Sequence, residues 1–330
     1  MDILTIAARL ANQSKLLDLY CYLRQSLTGH HLAILLYHRV APRSGHWSSY
    51  SSIIPSDFER QLAYLASNFH VIPLLELAHI IQNDLTFPKK AAVITFDDGY
   101  KDNYLFAYPL LKKYGLPATI FLTSGYIGRD QLFWWDKVNY LIEHTSMKTL
   151  DLPDLGIFSL SSTLQRRKVF THIRDKLKTM PEAEKQKMIG YLASETKIEV
   201  PPGIAANLIL SWEEVREMAG QWIEFGSHGV THAILTNLQE EEAEIEMVVS
   251  KKEIEERLQK PVLSFSYPNG GFRSEMGGVL KKSGYKCAVI VRGKIAKKKD
   301  DPYELPRISG FGDFNKFKLN ISGFYPDFFL

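Results

Sequence analysis

The residues of this chain that could do chemistry fall into two clusters. Ile94-Thr95-Phe96-Asp97-Asp98-Gly99-Tyr100 ends an apolar run in two adjacent carboxylates. Like charges at the end of a buried strand repel, and one is pushed toward its neutral form unless a cation or solvent separates them. The second cluster is Ser227-His228-Gly229-Val230-Thr231-His232. Its histidines stand at i and i+4, a spacing that puts both on one face of a helical turn, where they can share one metal ion. Two imidazoles and one carboxylate form a facial ligand set with open positions. The other carboxylate is then left to accept a proton from an attacking water. That set suffices for metal-assisted hydrolysis.

Each cluster has a plainer reading. One aspartate after a strand can cap a helix N-terminus, but the second stays unexplained. Two histidines could be surface residues at a helix start, yet Trp222-Ile223-Glu224-Phe225-Gly226 before them reads as a strand, and functional groups gather at strand C-termini in parallel α/β folds. Two further strand ends are weaker signals. Phe265-Ser266-Tyr267-Pro268-Asn269-Gly270-Gly271 reads simply as a turn, with backbone N–H groups it could lend to a site. Leu35-Leu36-Tyr37-His38-Arg39-Val40 ends in a lone histidine, which by pattern is more often a packed or capping residue.

The elements that must position these residues alternate. Short apolar, β-branched runs predict strands at Leu32–Tyr37, Ala91–Phe96, Ala118–Leu122, Ile223–Gly226, Leu263–Tyr267 and Lys286–Val291. Helical patterns lie between them, at Pro55–Asn68, Leu74–Gln82, Asn103–Tyr114, Asp136–Glu143, Leu164–Leu177, Pro181–Ser194, Trp212–Met218, Gln239–Leu258 and Ser274–Ser283. This alternation predicts parallel strands with crossover helices, buried on both faces. Residues 129–210 break the rhythm and read as a mostly helical insertion.

The 330 residues are 45% hydrophobic, enough for one large core, and carry a net charge of +3. Nothing in that balance points to nucleic acid. The run Lys294–Asp301 reads as a solvated loop. Cys21 and Cys287 are too few and too far apart for a disulfide framework. The first residues lack a basic n-region and a long apolar core, so no signal peptide is expected. Residues 1–31 read as an amphipathic helical segment. The plain reading docks it on the core; the sharper one is contact with a membrane surface, against which the sparse lysine and arginine argue. The expectation is a cytoplasmic protein, with peripheral membrane contact as the variant.

Thr-Phe-Asp-Asp-Gly, His-x-x-x-His and a Pro-x-Gly turn, in that order, resemble the polysaccharide deacetylases of the NodB-homology class, carbohydrate esterase family 4. The likeness covers roughly residues 32–128 and 220–310. It implies a distorted (β/α) barrel with fewer than eight strands, over residues 32–330, interrupted by the helical insertion. It also implies hydrolysis of N-acetyl groups on an amino-sugar glycan or glycan precursor, with zinc as the metal and cobalt or nickel as alternatives. Carried over by position, Asp97 resembles the catalytic base, and Asp98, His228 and His232 the metal ligands. The backbone N–H of Asn269 resembles the oxyanion donor, and Tyr100, Tyr267 and Pro268 are candidates for substrate contact.

Two departures stand out. The family's usual turn has an arginine that orients the base, and here that position is Ser266. The usual C-terminal histidine, the general acid, is also missing, because no histidine follows His232. A subgroup acting on poly-N-acetylglucosamine carries an early Tyr-His motif instead. Tyr37-His38 resembles that motif, which makes His38 the candidate acid. Phe133-Trp134-Trp135-Asp136 and Tyr303-Glu304-Leu305-Pro306-Arg307-Ile308 also resemble segments of deacetylases from bacterial surface-glycan pathways. The rivals are a non-catalytic glycan-binding homologue, an amidase acting on a non-sugar amide, and a non-haem iron oxygenase, whose usual all-β scaffold does not match the alternation.

Overall fold

The computed structural model describes residues 19–20, 23, 32–42, 52–220 and 222–323. Most of the amphipathic segment and the aromatic run 324–330 lie outside the described residues. Among the described residues two compact units result, one drawn from residues up to 42, from 52–128 and from 210–323, the other from residues 129–209.

The larger unit is a closed barrel of seven parallel strands: β1 Leu32–Tyr37, β2 Ala91–Phe96, β3 Ala118–Leu122, β4 Ile223–Ser227, β5 Ser264–Ser266, β6 Cys287–Val291 and β7 Leu305–Ser309. Each strand pairs with the next in sequence, and β1 closes the ring by pairing with both β7 and β2. A short strand, His70–Val71, takes the lower part of the β2 edge that β3 leaves open. Near-continuous burial of β1, β2 and β3 follows from helices covering the outside while side chains fill the inside. Because all seven strands run the same way, all their C-terminal ends, and the loops after them, lie at one mouth.

The helices around this barrel include α1 Pro55–Asn68, α2 Leu74–Gln82, α3 Tyr108–Tyr114 and, beyond the second unit, α7 Trp212–Met218, α8 Glu240–Leu258, α9 Ser274–Lys282 and α10 Phe314–Ser322. Six of the strands and most helices stand where the periodicity puts them. The seventh strand was not expected. Leu305-Pro306-Arg307-Ile308-Ser309 carries a proline and an arginine where a buried strand should be apolar. Both are nevertheless enclosed, Arg307 with no exposed surface.

The second unit holds α4 Trp134–His144, α5 Thr163–Leu177 and α6 Glu182–Thr196, packed around Trp134, Leu141, Ile173 and Leu192. It is less purely helical than expected, since Thr149–Leu152 and Gly156–Ser159 form an antiparallel hairpin. Arg166 donates to the carbonyls of Ile142, Glu143 and Thr145 at the end of α4, which is the usual role of a cation at a helix C-terminus.

Candidate active site

Asp97 and Asp98 follow β2 and are 2% and 3% exposed. Adjacent residues in extended backbone point to opposite sides. Here Asp98 turns to φ +77°, a left-handed conformation that aspartate tolerates better than most residues. Both carboxylates consequently reach the same imidazole. His228 Nε2 lies 3.8 Å from Asp97 Oδ2 and 3.5 Å from Asp98 Oδ1.

The two histidines come together by a route other than the expected one. Residues 228–232 form no helical turn; they make an irregular loop with Gly229 at φ +79° and His232 at φ +61°. The rings still meet edge to face, with centroids 4.8 Å apart. His232 Nε2 is 3.2 Å from Asp98 Oδ1. His228 Nδ1 lies 2.7 Å from the Ser266 carbonyl. A carbonyl only accepts, so Nδ1 carries the hydrogen and Nε2 turns its lone pair into the site.

Donor atoms of Asp98, His228 and His232 all lie within 4.8 Å of one another. Ligands about 2.0–2.2 Å from a tetrahedral ion sit roughly 3.3–3.5 Å apart, close to the two separations from Asp98 Oδ1. That oxygen is buried and has no hydrogen-bond partner among the described residues. A buried carboxylate oxygen facing two imidazole nitrogens fits a divalent cation between them.

Asp97 has a different partner. Arg307 grips it with two bonds, Nη1 to Oδ1 at 2.7 Å and Nη2 to Oδ2 at 2.6 Å. Nη1 also reaches the Thr95 hydroxyl and Nη2 the Ser266 hydroxyl, which itself donates to Asp97 at 3.2 Å. Burial would raise the Asp97 carboxyl, but the Arg307 guanidinium and then His228 outweigh it and hold the group well below the usual carboxylate range. Asp98 is also lowered: burial opposes, while His232, His38 and His228 pull it down. His228 itself is pushed down to about 4, chiefly by burial and against the pull of Asp97.

The arginine missing at the turn is therefore supplied by β7. Sequence reasoning passed over it, although it had singled out the segment around it. The available signal was charge balance, because a buried carboxylate beside a second one demands a cation, and a metal at Asp98 still leaves Asp97 in need of its own.

His38 follows β1. The pairing of Tyr37 with Phe96, and the bond from Asp97 N to the Tyr37 carbonyl, put it level with the aspartate pair. Its ring stacks on Phe311, centroids 5.5 Å apart, and it stands near enough to help lower both carboxylates. The loop after the aspartates also ties this segment in place. Asn103 donates to the His38 carbonyl, and Asp102 pairs with Arg39 at 2.6 Å while accepting from Val40 N.

Asn269 sits in a tight turn, Pro268–Gly270, at φ +53°. The three candidates for substrate contact are enclosed. Tyr100 is 2% exposed beneath the Arg39 guanidinium, Tyr267 has no exposed surface and donates to the Tyr303 carbonyl, and Pro268 is buried.

A family model described as polysaccharide deacetylase matches residues 84–288. The chain belongs to that family. YxkH of Bacillus subtilis, which bears the family's name, is 24% identical over 279 residues, 84% of this chain and 70% of its own length. The poly-beta-1,6-N-acetyl-D-glucosamine N-deacetylase of Staphylococcus aureus is 36% identical over 90 residues, 27% of this chain and 30% of that enzyme. Two solved structures share the fold of this polysaccharide deacetylase family member. The Streptococcus pyogenes deacetylase PplD, in complex with acetate, has a TM-score of 0.59 at 19% identity and covers 90% of this chain and 99% of its own. IcaB from Ammonifex degensii has a TM-score of 0.58 at 18% identity and covers 90% and 98%.

Proposed function

We propose that this protein is a metal-dependent hydrolase that removes N-acetyl groups from an amino-sugar glycan or glycan precursor. One observation carries the reading. Asp97 is held by Arg307, off the Asp98, His228 and His232 cluster yet against it, which is where a general base beside a metal must stand.

A divalent ion held by Asp98, His228 and His232 would supply Lewis acidity toward water and the acetyl carbonyl. Asp97 accepts the proton of the attacking water, and the two-pronged Arg307 grip fixes which lone pair faces it. The backbone N–H of Asn269 is the candidate donor to the oxygen that gains charge; one such donor contributes about 3–4 kcal/mol to lowering a barrier. His38 delivers a proton to the departing nitrogen, without which an amine leaves poorly. Its stack on Phe311 keeps the ring in one plane.

The non-catalytic, glycan-binding reading drew on two gaps, Ser266 standing where an arginine is usual and the lack of a histidine after His232. Against the first, Arg307 reaches both Ser266 and Asp97; against the second, His38 is the candidate acid. The substrate named for the Staphylococcus aureus relative, poly-β-1,6-N-acetylglucosamine, is the first to test. Acetate release from its oligomers and from other acetylated amino sugars, with zinc, cobalt and nickel in turn, measures the activity. No release from any of them with a metal-loaded protein refutes the proposal.

A further inference from the structure

Helix α8 presents a polar stripe to the loop that carries the two histidines. Glu246, Ser250 and Glu253 stand at i, i+4 and i+7, one face of a helix. Glu246 is 8% exposed. Its Oε2 accepts from two successive backbone N–H groups, Val230 at 2.7 Å and Thr231 at 2.9 Å, and its Oε1 accepts from the Thr231 hydroxyl at 2.7 Å. Ser250 meets the Ser227 hydroxyl, which accepts from Gly229 N. Glu253 accepts from Ser124 Oγ, and the backbone N–H groups of Ser124 and Gly125 donate to the carbonyls of Gly229 and Val230.

The arc between the histidines is thus gripped on its N–H side by α8 and on its carbonyl side by the loop after β3. Gly229 completes the fit. A Cβ there would come 2.7 Å from Glu246 Oε2, and its φ of +79° is one that glycine adopts freely. His232 follows at φ +61°, a conformation a histidine holds only where its surroundings impose it.

We propose that Glu246 is a positioning residue for the metal centre: its carboxylate sets the Gly229–Thr231 arc that swings the His232 ring toward Asp98 and His228, and metal affinity depends on it. This rests on reading those three residues as ligands. The contact is one of hydrogen-bond geometry, since Glu246 holds the backbone before the ligand rather than the ligand itself.

The test compares the full chain with Glu246→Ala and Glu246→Gln. Each is stripped of metal and titrated with zinc against a chromophoric chelator, and the melting temperature of the metal-free form is recorded alongside. Glu246→Ala should weaken zinc binding roughly 10–100-fold, the usual consequence of losing a group that orients ligands. Glu246→Gln should stay within about threefold, because its amide oxygen can accept from both N–H groups and its NH2 can donate to the Thr231 hydroxyl. A residue that merely stabilised the fold would lower the melting temperature and leave the affinity of the folded protein unchanged. Parent-like affinity in a folded Glu246→Ala overturns the proposal, as does a Glu246→Gln as weak as the alanine variant. If Glu246→Ala does not fold, Thr231→Val, which deletes one hydroxyl contact, takes its place; it should bind zinc several-fold more weakly, and parent-like affinity there overturns the proposal too. A parent protein that takes up no zinc overturns the ligand reading underneath, a result distinct from equal binding by parent and variant.

Discussion

Arg307 and Asp97 meet through two parallel bonds of 2.6 and 2.7 Å inside the barrel, although 210 positions separate them in the chain. Neither has appreciable contact with solvent. A bidentate pair in that setting does two things: it keeps the carboxylate ionised against the cost of burial, and it fixes its plane.

Replacing Arg307 by methionine should therefore leave a buried, unpaired charge. Breaking such a pair from one side typically costs about 3–5 kcal/mol, and urea denaturation should register a loss on that scale. Arg307→Lys keeps the charge but not the fork. It should recover most of the stability while the maximal rate stays roughly 10–100-fold down, since the base is no longer held in one orientation.

Asp97→Asn retains a group of the same shape that can accept one bond from Arg307 but cannot take a proton at neutral pH. Acetate release should vanish while the metal content, measured by plasma mass spectrometry, matches the parent. Retained activity would remove Asp97 from the role of base.

His228→Ala and His232→Ala should each lose metal stoichiometry in the same measurement. An unchanged ion count in either would contradict its assignment as a ligand.

His38→Ala should lower the maximal rate by roughly 10²–10⁴-fold, the usual range for a lost acid or base, with metal content intact. Phe311→Ala should produce a smaller loss in the same direction, because it frees the ring without deleting it. A His38 variant with an unchanged rate would place the acid elsewhere.

Burial holds His228 down to about 4 from its ordinary 6.5. Between those values the unfolded chain binds a proton that the folded protein refuses, so stability rises with pH. Its contribution is complete above 6.5 and is lost progressively as pH falls toward 4. A shift of that size corresponds to about 3 kcal/mol. Urea midpoints of the metal-free protein at pH 7.5 and 4.5 should show a decline of that order beyond the decline seen in His228→Gln. Identical declines in the two proteins would mean the ring is not enclosed as described.

The two clusters and the barrel strands that end in them were legible because both signals are local. An apolar β-branched run stopped by charged or small residues, as in Ala91–Gly99, shows its strand and its strand end within ten positions. The convergence of His228 and His232 was also visible, but for the wrong reason. Their i, i+4 spacing suggested a helical turn, while the fold achieves the meeting with a left-handed kink and the Glu246 grip on the intervening backbone.

What the chain by itself determined was which residue types lie at which strand ends, and so an Asp-Asp and a His-His set suited to one ion. What the tertiary structure alone decided was which aspartate an arginine grips, and so what keeps it charged. That depends on Arg307, in a strand whose proline and arginine hide its period, reaching a partner on the far side of the sequence. Local pattern records the propensity of a segment to be strand or helix; it holds no record of which buried charges will be opposite each other once a sheet closes on itself.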